Sequence, residues 1–378
     1  LSDIAGDWGN PTAGDFAAVV DVMAFRHNDG HINIEKLRHA VRLTTVLLDL
    51  QSDDKVTDFR IGIANLAPLL LAQAVAYDSE AGRALCAAIC GLVTAEAFAV
   101  SAELAALRGA SASFFAERET ILRVLRNHSR AVHGDKTDYE KISVLPHPLS
   151  LQHCPDLALA AAAQSRWSEV LHRVRQNGLR QTQVTSLQGV PTITAFMESV
   201  TQGVEALSAL TMLRQTDDDD FQNDVLPAVP EALERLGYDR TLKPENVRAS
   251  HKGIFAVSEK VRVEARIQMA AAVQGLISGD TGLTVSLPVN STAENNERLL
   301  LSAWRQGVRS LSMDFDAAPV TKKIVEKKAA RKIRASEFIH TTQPPTSLPR
   351  RGARLKAASS LVHMEHRPKP LLGRGKRG

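Results

Sequence analysis

Two rhythms of apolar and polar residues run along this chain. "FAAVVDVMAF" (16–25) is apolar apart from Asp21 and predicts a buried strand, closed by the turn residues "HNDG". "INIEKLRHAVRLTTVLLDL" (32–50) sets Leu37, Val41, Thr44, Leu47 and Leu48 at helical spacing. A polar break, "QSDDKVTD", follows. Next come the apolar run 60–76 and a long stretch of small and apolar residues, "YDSEAGRALCAAICGLVTAEAFAVSAELAAL" (77–107). Asp78 or Ser79 can cap this second helix, because a short side-chain oxygen accepts from the free N–H groups of a first turn.

"RETILRVLRNHSRAVHGD" reads as a basic amphipathic helix, and "SVLPHPLSLQHCPD" as a proline-punctuated loop. "DLALAAAAQSRWSEVLHRVRQNG" reads as a helix that Gly178 can end. "QTQVTSLQGVPTITAF" (181–196) predicts a strand, a loop and a second apolar stretch. "TDDDDFQNDV" reads as an acidic loop or helix start, and "PAVPEALERLGYD" as a short helix. "SEKVRVEARIQMAAAVQGLISGD" predicts a long helix capped by Ser258 and stopped near Gly279. "TVSLP" is a strand, and "TAENNERLLLSAWRQGVRSLSMDF" a helix and a closing strand. Strands alternating with longer helices give an α/β class with buried strands.

Composition changes this picture in three ways. The 378 residues are 44% hydrophobic but only 4% aromatic, so Ala, Leu and Val fill the core. No uninterrupted apolar run approaches the roughly 20 residues that span a bilayer, and "LSDIAGDWGN" lacks the basic and apolar parts of a secretory signal. The expectation is a cytoplasmic protein without a membrane. The charge is divided: from Val320 onward there are 16 Lys and Arg against 3 acids, a net of +13, while residues 1–319 carry 30 basic and 39 acidic residues, a net of −9. The chain therefore divides into a folded portion, 1–319, and a basic tail, 320–378. The tail is rich in Pro, Gly, Ser and Arg, which predicts disorder. Clustered "KKIVEKKAARKIR" and "PRRGAR" suit nucleic-acid phosphates. Cys86, Cys90 and Cys154 match no zinc or redox spacing, the histidines show no convergence, and Asp217–Asp220 lacks the spaced ligands of a calcium loop, so no metal is expected.

Five colinear segments resemble the adenosylcobalamin-dependent (class II) ribonucleotide reductases. "FRIGIANLAPLLLAQAVAYDSEAGRALCAAI" is similar to that family's "Gly-Leu-Gly-x-Ala-Asn-Leu-Gly" leading into "Tyr-Asp-Ser-x-Glu-Gly-Arg-Ala". "ILRVLRNHSRAVHGD", "PAVPEALERLGYD", "RIQMAAAVQGLISGDTGLTVSLPVNSTAE" and the basic "VTKKIVEK" with "SLPRRGARLKAAS" resemble later family segments. The resemblance implies part of a ribonucleotide-reductase-like α/β barrel, helix-rich, with a disordered basic tail. The family's barrel has ten strands in two halves around a cysteine-bearing finger loop, and this chain corresponds to its later portion plus the linker. The resemblance also implies adenosylcobalamin as cofactor, a nucleotide as ligand, and a reductase partner chain or a second copy as partner.

The chain departs from the family where its chemistry resides. A thiyl radical, a dithiol and an Asn-x-Cys-x-Glu motif are required there, but Gly9–Asp15, "GNPTAGD", has neither Cys nor Glu. The family asparagines that would fall on Phe16 and Asp21 are replaced, and Ser286 stands for another. The phosphate loop "Ala-Pro-Thr-Gly-Thr-Ile-Gly" falls on Gln188–Thr194, with Pro191 in place of glycine. Proline removes a donor and fixes φ. Thr192, Ile193 and Thr194 remain as the substrate-phosphate candidates, and no catalytic residue is assigned. Three readings stay open: a degenerate reductase relative without ribonucleotide reduction of its own, acting as pseudoenzyme or partner subunit; a component of a split reductase making deoxyribonucleotides; and a nucleic-acid-associated protein acting through its tail.

Overall fold

The computed structural model describes residues 16–27, 29–52, 58–215 and 221–316. Contacts divide the chain at residue 320, and residues 321–378 lie wholly outside the described ones. The tail, the Gly9–Asp15 string and the acidic run Asp217–Asp220 therefore fall outside as well.

In chain order the elements are β1 (Ala17–Asp21), α1 (Ile34–Gln51), β2 (Asp58–Ala64), α2 (Leu66–Ala72), α3 (Glu80–Arg108), α4 (Ala112–Ala116), α5 (Arg118–His133) and α6 (Leu157–Asn177). There follow β3 (Gln183–Thr185), α7 (Pro191–Phe196), β4 (Thr211–Gln215), β5 (Phe221–Val225), α8 (Ala228–Arg235), α9 (Val263–Gln274), β6 (Leu283–Pro288), α10 (Ala293–Arg305) and β7 (Leu311–Asp316). β1, β2 and β3 form a parallel sheet with β2 central, Ala17 opposite Arg60 and Ile61 opposite Thr185. β4 and β5 make an antiparallel pair, and β6 and β7 a parallel one. Among the described residues the strands do not close into a barrel. The fold is mixed α/β and helix-rich.

The core is organised around α3. Ser79 caps it, its hydroxyl accepting from Gly82 N at 2.9 Å. Its Ala, Gly, Cys and Ser residues let neighbours approach closely: a Cβ added at Gly91 would lie 3.3 Å from Val132 Cγ2. Trp167 of α6 donates its indole N–H to the Gly91 carbonyl at 3.0 Å and meets Phe98 at 5.9 Å between rings. Burying Phe98 contributes about 2–3 kcal/mol. By length and hydropathy α3 is apolar enough to cross a membrane, although Thr94, Glu96 and Ser101 break its apolar run. Its most apolar stretch is entirely buried by the rest of the protein.

Four local expectations change. The strand foreseen over 16–25 stops at Asp21, whose carboxylate accepts from Met23 N at 2.9 Å and turns Val22–Phe25 into a 3₁₀ turn. The buried face of α1 is Leu37, Val41, Thr45, Leu48 and Asp49, while Leu47 is exposed. Asp49 lies inside because Arg180 Nε (2.7 Å), Gln181 Nε2 (2.8 Å) and Arg108 Nη1 (2.6 Å) all donate to it. Residues 221–225 are a strand rather than a loop or helix start. Gln222, Asn223 and Val225 face solvent there, so polarity is no obstacle to pairing with β4. Finally, α9 runs only from Val263 to Gln274, without a side-chain cap. Ser258 N is drawn instead to Leu207 O at 2.6 Å, and Gln274 Nε2 reaches Gly279 O at 3.0 Å across a turn.

Candidate functional site

Ligands of open parallel sheets sit beyond the carboxyl ends of the strands, so the ends of β1, β2 and β3 are the place to look. At the end of β2, Asn65 adopts the left-handed region, φ 64°. Its side-chain oxygen accepts from Val200 N at 2.8 Å and Thr201 N at 3.2 Å, and its own N–H donates to Thr201 O at 2.9 Å. Gly203 N donates to Ile63 O at 2.8 Å. Gly203 itself has φ 49°, and a Cβ there would fall 2.6 Å from Leu187 O. Buried Tyr77 donates its hydroxyl to Val204 O at 2.5 Å, and desolvation pushes that phenol well above its ordinary pKa. The segment 199–204 is thus fastened across the end of β2.

The end of β3 is fastened in the same manner. The Ser278 hydroxyl accepts from Val184 N (3.0 Å) and Thr185 N (2.9 Å), and Thr185 Oγ1 accepts from Ser278 N at 3.1 Å. Thr94 of α3 joins through Thr185 Oγ1 at 3.0 Å. Leu187 N donates to Asp280 O at 2.7 Å, and Arg309 Nη1 donates to Gly279 O at 3.2 Å. A Cβ at Gly279 would lie 2.6 Å from Thr185 O, and one at Gly282 2.5 Å from Gln188 Cα. These hydroxyls and amides are committed to one another in the buried interior.

Thr192, Ile193 and Thr194 follow on the first turn of α7, with Pro191 at its first position, where the missing N–H removes no helical bond. Ile193 N and Thr194 N both donate to Val190 O, at 3.0 and 3.1 Å. The Thr194 hydroxyl is buried and turns back on Val190 O and Pro191 O, each 3.2 Å away. Thr192 is exposed and Ile193 half-buried. The three share a turn, but their polar groups do not converge on one point.

The thiols sit elsewhere. Cys86 and Cys90 lie on α3 in the core, and Cys154 is buried with its Sγ donating to Asp156 O at 3.3 Å. Burial pushes the Cys86 thiol up to about 12, Cys90 well above its ordinary value, and Cys154 upward. A thiol raised in this way stays protonated near neutral pH.

Sequence reasoning passed over Asn65, Thr185, Ser278 and Gly279 as site residues. Asn65 falls within "IGIANL", and Ser278 and Gly279 within "LISGD", so the signal lay inside the matching motifs. What those motifs encode here is the fastening of chain to strand ends.

The family model described as ribonucleotide reductase, barrel domain, matches residues 17–313. A vitamin B12-dependent ribonucleotide reductase of Agrobacterium fabrum is 34% identical over 223 residues, 56% of this chain and 18% of that protein. Its counterpart in Streptomyces avermitilis is 29% identical over 346 residues, 82% of this chain and 34% of its own length. The one in Streptantibioticus cattleyicolor is 31% identical over 290 residues, 71% of this chain and 45% of its own length. The chain thus spans less than half the length of these relatives.

Proposed function

Because this chain belongs to the ribonucleotide reductase barrel-domain family, we propose that it is a degenerate relative of the adenosylcobalamin-dependent reductases that does not itself reduce ribonucleotides, and that it serves as a pseudoenzyme or partner subunit. One observation carries this reading: all three of its thiols are buried and protonated, two of them on the central helix. Ribonucleotide reduction passes an unpaired electron and then an electron pair through sulfur, so a thiol must reach the ribose. Adenosylcobalamin would supply the radical in this family, and its chemistry likewise needs a thiol open to the cofactor. The residues present do not fit that group. The matching motifs that survive, at Asn65, Ser278 and Gly279, hold backbone segments to one another. The substrate-phosphate segment 188–194 spends the Thr194 hydroxyl on its own turn.

A second reading has one specific support. β1 pairs on one side only among the described residues. A strand edge of this kind invites another chain, so a separate polypeptide could complete a split reductase. Incubation of the purified protein with adenosylcobalamin, a ribonucleotide and a dithiol distinguishes the two. We expect no cobalamin cleavage and no deoxyribonucleotide. Turnover by the chain alone that disappears in a Cys86→Ser, Cys90→Ser or Cys154→Ser variant would overturn the pseudoenzyme reading, and turnover only on adding a second chain would establish the split enzyme.

A further inference from the structure

A cavity of about 620 Å³ opens where the first turns of α3 meet the turn after α5, the 147–153 loop and α9. That volume suits a small organic ligand. Ala84, Ala87 and Ala272 line it, with Leu149 and Pro148, and alanines in that number make a smooth apolar surface. Arg83 and Lys136 bring two permanent cations to it. Glu80 is the one carboxylate among the lining residues, and it is already held by His153 Nε2 at 2.8 Å. His133 is likewise engaged, donating from Nδ1 to Ser129 O at 2.7 Å. His147 also lines the cavity, and desolvation, with Arg83 nearby, lowers its pKa and keeps it neutral. Gln268 and Gln306 add carboxamides from α9 and from the end of α10.

A metal does not suit this set. Among the described residues no three His, Cys, Asp or Glu side chains close on a common point. The surplus of fixed cations over free carboxylate asks for an anion, since oxyanions gain charge-assisted hydrogen bonds from guanidinium and ammonium groups. The alanine surface asks for a flat, weakly polar body behind that anion. Among the described residues Arg83 has one weak bond, to Asp78 at 3.4 Å, and Asp78 has a second partner in Arg262 at 3.1 Å. The guanidinium can therefore turn to a ligand without stranding a carboxylate.

We propose that this cavity binds an organic phosphate, its phosphate held by Arg83 and Lys136 and its ring laid on Ala84, Ala87 and Ala272. The site is separate from the strand ends and from the 188–194 segment, and it does not depend on whether the chain reduces ribonucleotides.

Titration calorimetry of the full chain with adenosine monophosphate, inorganic phosphate and adenosine tests this. Adenosine monophosphate should saturate, and the two fragments should bind more weakly by about tenfold or more. Lys136 is exposed, so Lys136→Gln leaves the fold intact, as its thermal melt will verify, and it should raise the Kd for adenosine monophosphate by about fivefold or more. Arg83→Gln should do the same, and Ala87→Leu should abolish binding by filling the floor. No saturable heat from the folded protein at millimolar nucleotide, or an unchanged Kd in the Arg83→Gln/Lys136→Gln double variant, overturns the assignment. Adenosine binding as tightly as its phosphate removes the anion from it, and inorganic phosphate binding as tightly removes the ring.

Discussion

His128 is a histidine that the fold keeps neutral. It is fully buried, stacks on Trp167 at 5.5 Å, and donates from Nδ1 to Gly275 O at 2.8 Å. Burial pulls its pKa down to about 4. In the unfolded chain the same imidazole takes a proton near pH 6.5. Between those values the unfolded state binds more protons than the folded one, so stability falls as pH drops through that window and levels off below it. Urea denaturation near pH 7 and near pH 5 should show the wild type losing more stability on acidification than His128→Gln, which cannot be protonated. Equal losses would refute the assignment. Nothing in the sequence marks this residue for such a place: twelve histidines look alike until packing separates them. The three cysteines match no zinc or redox spacing in the sequence, and the structure buries all three.

Elements whose signals are local were legible. Ser79 caps α3, Gly178 ends α6 with φ 76°, and β6, α10 and β7 fall where period and turn residues put them. Elements whose ends are set by distant partners were not. The start of α9 depends on Leu207 and the buried face of α1 on Arg108, Arg180 and Gln181, none of them near in sequence. The candidate site divides in the same way: the segment 188–194 is a single stretch of sequence, whereas the lacing of β3 to 278–280 comes from pairs more than 90 residues apart. That lacing can be measured. Gly279→Ala brings a methyl carbon within 2.6 Å of the Thr185 carbonyl oxygen, a backbone atom that cannot swing aside. It should destabilise by about 1–3 kcal/mol, seen as a lower denaturation midpoint with unchanged slope. A shift within about 0.5 kcal/mol, the range of an ordinary surface substitution, would mean the joint is looser than it looks.

At the scale of the whole molecule, charge is segregated. Residues 1–319 carry a net of −9 and the remainder +13. Phosphate neutralisation by clustered Lys and Arg is sequence-independent and steeply salt-dependent, so any binding to duplex DNA should weaken as salt rises and vanish when residues 320–378 are removed. Filter binding at two salt concentrations, with and without the tail, checks this; binding that persists without those residues would locate it in the acidic portion and dismiss the tail. The family and its mixed α/β class were legible in colinear motifs, while closure of a barrel was not, because it depends on strand pairs that motifs do not encode. The central helix carries one more consequence. Among the described residues, the one helix apolar enough to suit lipid is enclosed by protein along its most apolar stretch. Its sheath includes α6, which follows it in the chain. A ribosome that stalls before Leu157 therefore releases a greasy rod without its wrapping, the kind of product that quality-control proteases and chaperones are built to seize.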